Sequence, residues 1–206
     1  MAGPSWPRWV LAAVFLAVAG YCVVRLVAAH RAPVGYHGCH RALDVAHLVM
    51  GLGMAVMCSP VGGPVPAAGW QTVFVLLAAW FLGSAVHRGR TGRRAEPIGW
   101  HGGGLHHAIG ALAMLYMLGT MPADPLHMAT PWMAGMSGAA GLPVLGWLFA
   151  TYFAGFALLL APRAVRAPAA VPVPGRLPAV LRAPRIPAAC QLVMAVGMGY
   201  LIAPLG

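Results

Sequence analysis

His40-Arg-Ala-Leu-Asp44-Val-Ala-His47-Leu-Val-Met50-Gly-Leu-Gly-Met54-Ala-Val-Met57-Cys58 is the stretch whose reading decides the fold. It is apolar apart from a few residues that recur at helical spacing. His40, Asp44 and His47 stand at i, i+4 and i+7, and Met54 follows one heptad later, so a helix places all four on one face. A second stretch repeats the pattern without a gap. His47 aligns with His107, Met54 with Met114 and Met57 with Met117, so that Met stands seven and ten residues after His in both. Apolar helices of this length, carrying a polar seam on one side, belong to a bilayer.

Composition supports that reading. Of 206 residues, 60% are hydrophobic and 8% are charged, against roughly 25% charged in a soluble domain. So few charges cannot cover a water-soluble globule, whereas lipid solvates an apolar exterior. Crossing about 30 Å of hydrocarbon takes roughly 20 residues. Runs of that kind lie near 7–28, 40–58, 70–87, 104–121, 143–162 and 187–204, several bounded by Pro or Gly. The expected fold is therefore an all-α integral membrane protein. It is a single domain over 1–206, a bundle of about six transmembrane helices with a weak parallel repeat relating helices 2 and 4. The first run exceeds the usual core of a signal peptide, roughly 7–15 residues, and is read as a retained helix.

The charges supply an orientation. All 13 basic residues are arginines, and the net charge is +10. Arg25, Arg31 and Arg41 flank the first connection. Arg88, Arg90, Arg93 and Arg94 flank the third, and Arg163, Arg166, Arg176, Arg182 and Arg185 the fifth. Arg8 alone falls on the other side. By the positive-inside rule the arginine-rich side is cytoplasmic and both termini face outward, in the cell membrane. The segment 162–187, rich in Pro and Arg, reads as a non-helical cytoplasmic linker lying against anionic headgroups. Basic residues at the ends of apolar runs are not a nucleic-acid surface, so lipid, a protein partner or a second copy of the chain are the expected partners.

The histidines and methionines carry the candidate chemistry. Imidazole suits several transition metals, and thioether selects Cu(I) in particular. The expected ligands are His40, His47, Met50, Met54, Met57, His106, His107, Met114 and Met117, with His37, His87, His101 and Met121 as possible additions. Asp44 is expected to orient an imidazole or offset the charge of the ion. Histidines gather toward the cytoplasmic ends and methionines lie deeper or further out, a gradient suited to carrying or storing Cu(I). Two alternatives remain open. One is a b-type haem held axially by His47 and His107, with Gly51, Gly53, Gly110 and Ala111 making room. The other is a membrane oxidoreductase using copper or non-haem iron. A structural subunit whose polar stripe joins helices is the blander alternative. Ser5, Ser59, Ser84 and Ser137 have no evident His-acid partners, so a catalytic triad is not indicated. Gly102-Gly103-Gly104 lacks the strand and lysine of a phosphate loop.

With six apolar runs and the series Asp44, His47, Met50, Met54, Met57, the chain resembles an uncharacterised actinobacterial family of multi-pass membrane proteins, known only as a domain of unknown function. It is also broadly similar to His- and Met-rich bacterial membrane proteins linked with copper handling. The resemblance implies a membrane bundle and copper as a ligand, and supplies no reaction.

Overall fold

A computed structural model describes residues 6–31, 38–59, 63–90, 104–120, 142–166 and 185–203. Six helices account for nearly all of them: α1 (Trp6–Arg31), α2 (Gly38–Cys58), α3 (Ala67–Arg90), α4 (Gly104–Thr120), α5 (Pro143–Arg166) and α6 (Arg185–Ile202). No strand occurs among the described residues. All six lie where the apolar runs place them, since a helix pairs the backbone groups of such a run within the run itself.

Local chemistry sets the ends. The carbonyl of Pro66 accepts hydrogen bonds from the amides of Gly69 at 2.9 Å and Trp70 at 3.3 Å, opening α3. Leu142 does the same for Leu145 and Gly146 at α5, whose first residue, Pro143, gives up an amide that has no helical partner there. Pro162 departs from expectation. It lies inside α5, which runs on to Arg166, and α6 already begins at Arg185. Both ends of the expected non-helical linker are thus helical. A proline forfeits its own bond to the preceding turn and crowds the carbonyl there, that of Leu158, yet the helix continues for one turn beyond it. Residues 167–184 lie outside the described set.

Five helices are long and apolar enough to cross a membrane: α1, α2, α3, α5 and α6. At 17 residues, α4 spans only about 26 Å. Large apolar side chains are turned outward on the long helices, including Leu76 at 65% exposure, Trp80 at 66% and Leu158 at 75%. Such a surface suits lipid rather than water.

The helices pack as three consecutive pairs, α1 with α2, α3 with α4 and α5 with α6. The second member of each pair lies inside, since α2, α4 and α6 also touch one another. One continuous buried cluster draws on all six helices. Contacts fix their directions. Going up α2, His47 meets His107, Met50 meets Gly110 and Gly53 meets Met114, so α2 and α4 run parallel, as the repeat requires. Along α6, Cys190 lies within electrostatic reach of Asp44, and Gly197 abuts Phe15, which also lies against Gly51. Hence α6 runs the same way.

Candidate metal centre

His47 and His107 come together from α2 and α4. Their ring centroids are 4.8 Å apart and their planes are nearly perpendicular, at 82°. His107 is 2% exposed. Phe81 of α3 stacks on it at 5.2 Å, and the His106 ring stands edge-on at 5.5 Å. The separation of the first two rings bears on metal binding. A metal–nitrogen bond of about 2.0 Å puts a ring centroid roughly 3.2 Å from the ion, so two centroids 4.8 Å apart subtend about 100°. The spacing of the two rings is short enough for imidazoles that share an ion.

Thioethers lie one to three turns further along. Met50, Met54, Met57, Met114 and Met117 are all buried, none more than 5% exposed. The sulfur of Met50 lies 3.1 Å from the point where a Cβ on Gly110 would stand, and the methyl of Met198 lies 3.8 Å from it. A side chain at this position would press on Met50. The methyl of Met114 lies 2.9 Å from the corresponding point on Gly53, beside Phe74 at 2.7 Å. The space beside Gly51, Gly53 and Gly110 is therefore taken by protein atoms.

The remaining expected ligands do not all join this pair. His106 is one residue from His107, about 100° around the helix, and faces α5. Its Nδ1 is 3.0 Å from the hydroxyl of Tyr152, and its ring stacks on Phe156 at 3.7 Å. His87 is exposed near the end of α3. His40 belongs to α2, but its side chain lies outside the described residues, as do His37, His101 and Met121 entirely. Among the described residues no group of three or more His, Cys, Asp or Glu side chains is disposed to hold a metal. The described residues offer two close imidazoles, with buried thioethers further along the same two helices.

Asp44 has a partner the sequence did not point to. Its Oδ1 lies 3.1 Å from a guanidinium nitrogen of Arg25, with side-chain exposures of 6% and 14%. Arg25 also lies over the ring of Tyr21, 5.8 Å from its centroid. The arginine read as a topology signal thus bridges α1 to α2 within the bundle.

Sequence reasoning counted Met194 and Met198 among the deeper methionines but gave Gln191 and the last helix no part in the candidate site. Gln191, Met194 and Met198 of α6 are buried at 9%, 4% and 2%. Their spacing was legible, since Gln191, Met194 and Met198 repeat the intervals of His47, Met50 and Met54. What concealed it was the change from histidine to glutamine.

Among the described residues the chain is all-helical, and five of its helices have the length and apolarity that suggest a multi-pass membrane protein. The chain belongs to the family described as a domain of unknown function, DUF5134, which it matches over residues 39–205. Similar proteins include the uncharacterized proteins Rv0970 of Mycobacterium tuberculosis and Mb0995 of Mycobacterium bovis. Each is 35% identical over 97 residues, covering 46% of this chain and 43% of the relative. The match thus spans less than half the length of these relatives. No solved structure matches the chain. The expected membership of an uncharacterised family stands, while the likeness to copper-handling proteins finds no support in these names.

Proposed function

We propose that this protein is an integral protein of the cell membrane that binds Cu(I), to transfer, import or store it, through His47 and His107 with thioethers of α2 and α4. The observation that carries the reading is the contact of the two imidazoles at 4.8 Å with buried methionines along the same two helices. Paired imidazole and thioether donors favour Cu(I) over harder ions. Met50, one turn beyond His47 and against Gly110, is the first thioether candidate, and Met54, Met57, Met114 and Met117 line the continuation. Asp44, held by Arg25, places a paired charge near the start of the seam. In this reading α4 is a sixth membrane segment, sheathed by its neighbours. The arginine-rich connections face the cytoplasm and anionic lipid, and α1 begins on the outer side.

Haem ranks second on packing grounds. Two axial imidazoles stand on opposite faces of a porphyrin, with centroids roughly 6 Å apart and the macrocycle between. Here the rings touch, and Phe15, Phe74, Met50 and Met114 fill the spaces beside the glycines. A non-haem iron oxidoreductase draws on more oxygen and nitrogen donors than the described residues assemble.

The test is titration of the purified protein with Cu(I) against a chromophoric chelator, alongside an absorption spectrum. The expected result is stoichiometric Cu(I), lost in His47→Ala and His107→Ala. Absence of stoichiometric binding overturns the proposal, and a Soret band from a haem-replete preparation replaces it with the haem reading. Labelling of single cysteines in intact cells by an impermeant thiol reagent tests orientation. Gly63→Cys should react and Arg90→Cys should not.

A further inference from the structure

The three helix pairs share more than their order. Each inner helix carries a polar residue, then positions three and seven residues on: His47, Met50, Met54 in α2; His107, Gly110, Met114 in α4; Gln191, Met194, Met198 in α6. All three helices run the same way and touch one another. Eight of the nine residues are buried, and His47 is partly so. The exception in residue type is Gly110, the position at which Met50 of α2 and Met198 of α6 converge. The missing side chain of α4 is thus replaced by two thioethers arriving from its neighbours.

We infer that α6 is the third wall of the metal centre: Met198 joins Met50 as a thioether ligand of the same soft monovalent ion, and Gln191 takes the place that histidine holds in α2 and α4. The inference rests on the Cu(I) reading for its ligand, while the placement of Gln191 rests on its burial, on its interval to Met198 and on the contacts of α6 with α2 and α4. Three consequences distinguish it from a two-helix site. First, thioethers from different hairpins close on one point, so the ion is enclosed by the bundle rather than open to one side. Secondly, a neutral carboxamide in place of a third imidazole withholds the nitrogen that Zn(II) or Co(II) needs to complete a three-histidine set. The glutamine thereby keeps the centre selective for a soft ion. Thirdly, the side chain of Met198 points back toward the start of its helix, as helical side chains do, which brings its methyl to the level of Gly110, one turn beyond His107.

The closing experiment separates the two layers. Gln191→His should create a three-imidazole set, read as visible d–d absorption on adding Co(II). That absorption should be absent from the unaltered protein and abolished again in Gln191→His with His47→Ala. If Gln191→His retains the circular dichroism of the unaltered protein yet gives no cobalt band, the third-wall placement is overturned. Should that variant not accumulate, Hg(II) cross-linking of Met50→Cys with Met198→Cys in a cysteine-free background decides the same point: a cross-link supports the placement, and its absence overturns it. The ligand role is read with Ag(I) as the probe. Met198→Leu and Met50→Leu, which nearly conserve volume, should each weaken binding by about tenfold or more. An unchanged affinity in Met198→Leu overturns its role as a ligand. A cobalt site in Gln191→His together with no Ag(I) or Cu(I) binding by the unaltered protein upholds the placement while refuting the copper reading. The reverse combination refutes the placement alone.

Discussion

Replacing Asp44 by leucine removes the carboxylate 3.1 Å from Arg25 and leaves a guanidinium only 14% exposed. At the effective dielectric of about 20 that describes protein sites, charges 3–4 Å apart attract by roughly 4–5 kcal/mol. Breaking a buried pair by deleting one partner costs about 3–5 kcal/mol, because the surviving charge stays desolvated. The Tyr21 ring beneath Arg25 recovers roughly 0.5–1 kcal/mol of this through its π face. The net expectation is a loss near 3 kcal/mol, or on the order of 10 °C in melting temperature for a chain of this size. The double variant Arg25→Met with Asp44→Leu should behave differently. With both charges gone no desolvated ion remains, and stability should return to within about 1 kcal/mol of the starting protein or exceed it. The assay is thermal unfolding in detergent, followed by tryptophan emission and circular dichroism on all three variants and the parent. If the double variant melts no higher than Asp44→Leu alone, the charges are not coupled, and the account of how α1 is held against α2 fails.

Three further expectations follow from the packing and the site. Gly197→Ala places a methyl 2.5 Å from Cζ of Phe15 and should cost about 1–3 kcal/mol. Gly20→Ala, with nothing within 4 Å, should gain up to about 1 kcal/mol from helix propensity. Equal melting temperatures for these two variants would refute the approach of α1 to α6. Tyr152→Phe deletes the 3.0 Å hydrogen bond to His106, for a loss of about 1 kcal/mol, and should leave Cu(I) stoichiometry unchanged. A lost equivalent of copper would show instead that His106 serves the ion. Free Cu(I) at a hundredfold excess over its dissociation constant should stabilise the protein by about 2.7 kcal/mol, a shift that vanishes in His107→Ala.

The helices were legible because long apolar runs bounded by Pro, Gly and Arg mark their own limits: each folded within a few residues of its expected bounds. The pairing of His47 with His107 was legible too, since an ungapped repeat on parallel helices puts equivalent residues at equivalent depth. Neighbourhood around a helix was harder. His106 and His107 are adjacent in sequence, yet one turns to α2 and α3 and the other to Tyr152 and Phe156 of α5, a division that depends on where α5 packs. Arg25 was masked by its position near a helix end, where positive charge usually marks topology; only the approach of α1 to α2 shows that it meets Asp44. Pro162 failed as a stop signal because α5 continues for one more turn, through Arg163 to Arg166, despite the lost hydrogen bond.

The last wall of the bundle is also the last of the six helices to leave the ribosome. When α4 has been made, α2 and α4 can already meet, but the side that α6 covers is still open. A 17-residue segment is marginal for entering lipid unaided, so α4 depends on the hairpin it forms with α3 and on the neighbours that enclose it. In the proposed membrane setting, its stable residence in the bilayer is a property of assembly order. Truncating the chain ahead of residue 185 should leave α4 prone to slip out of the membrane and to proteolysis, and should expose the histidine pair along one flank during synthesis. Biogenesis then offers a window in which the interior is accessible from the side, closed by the arrival of the final hairpin.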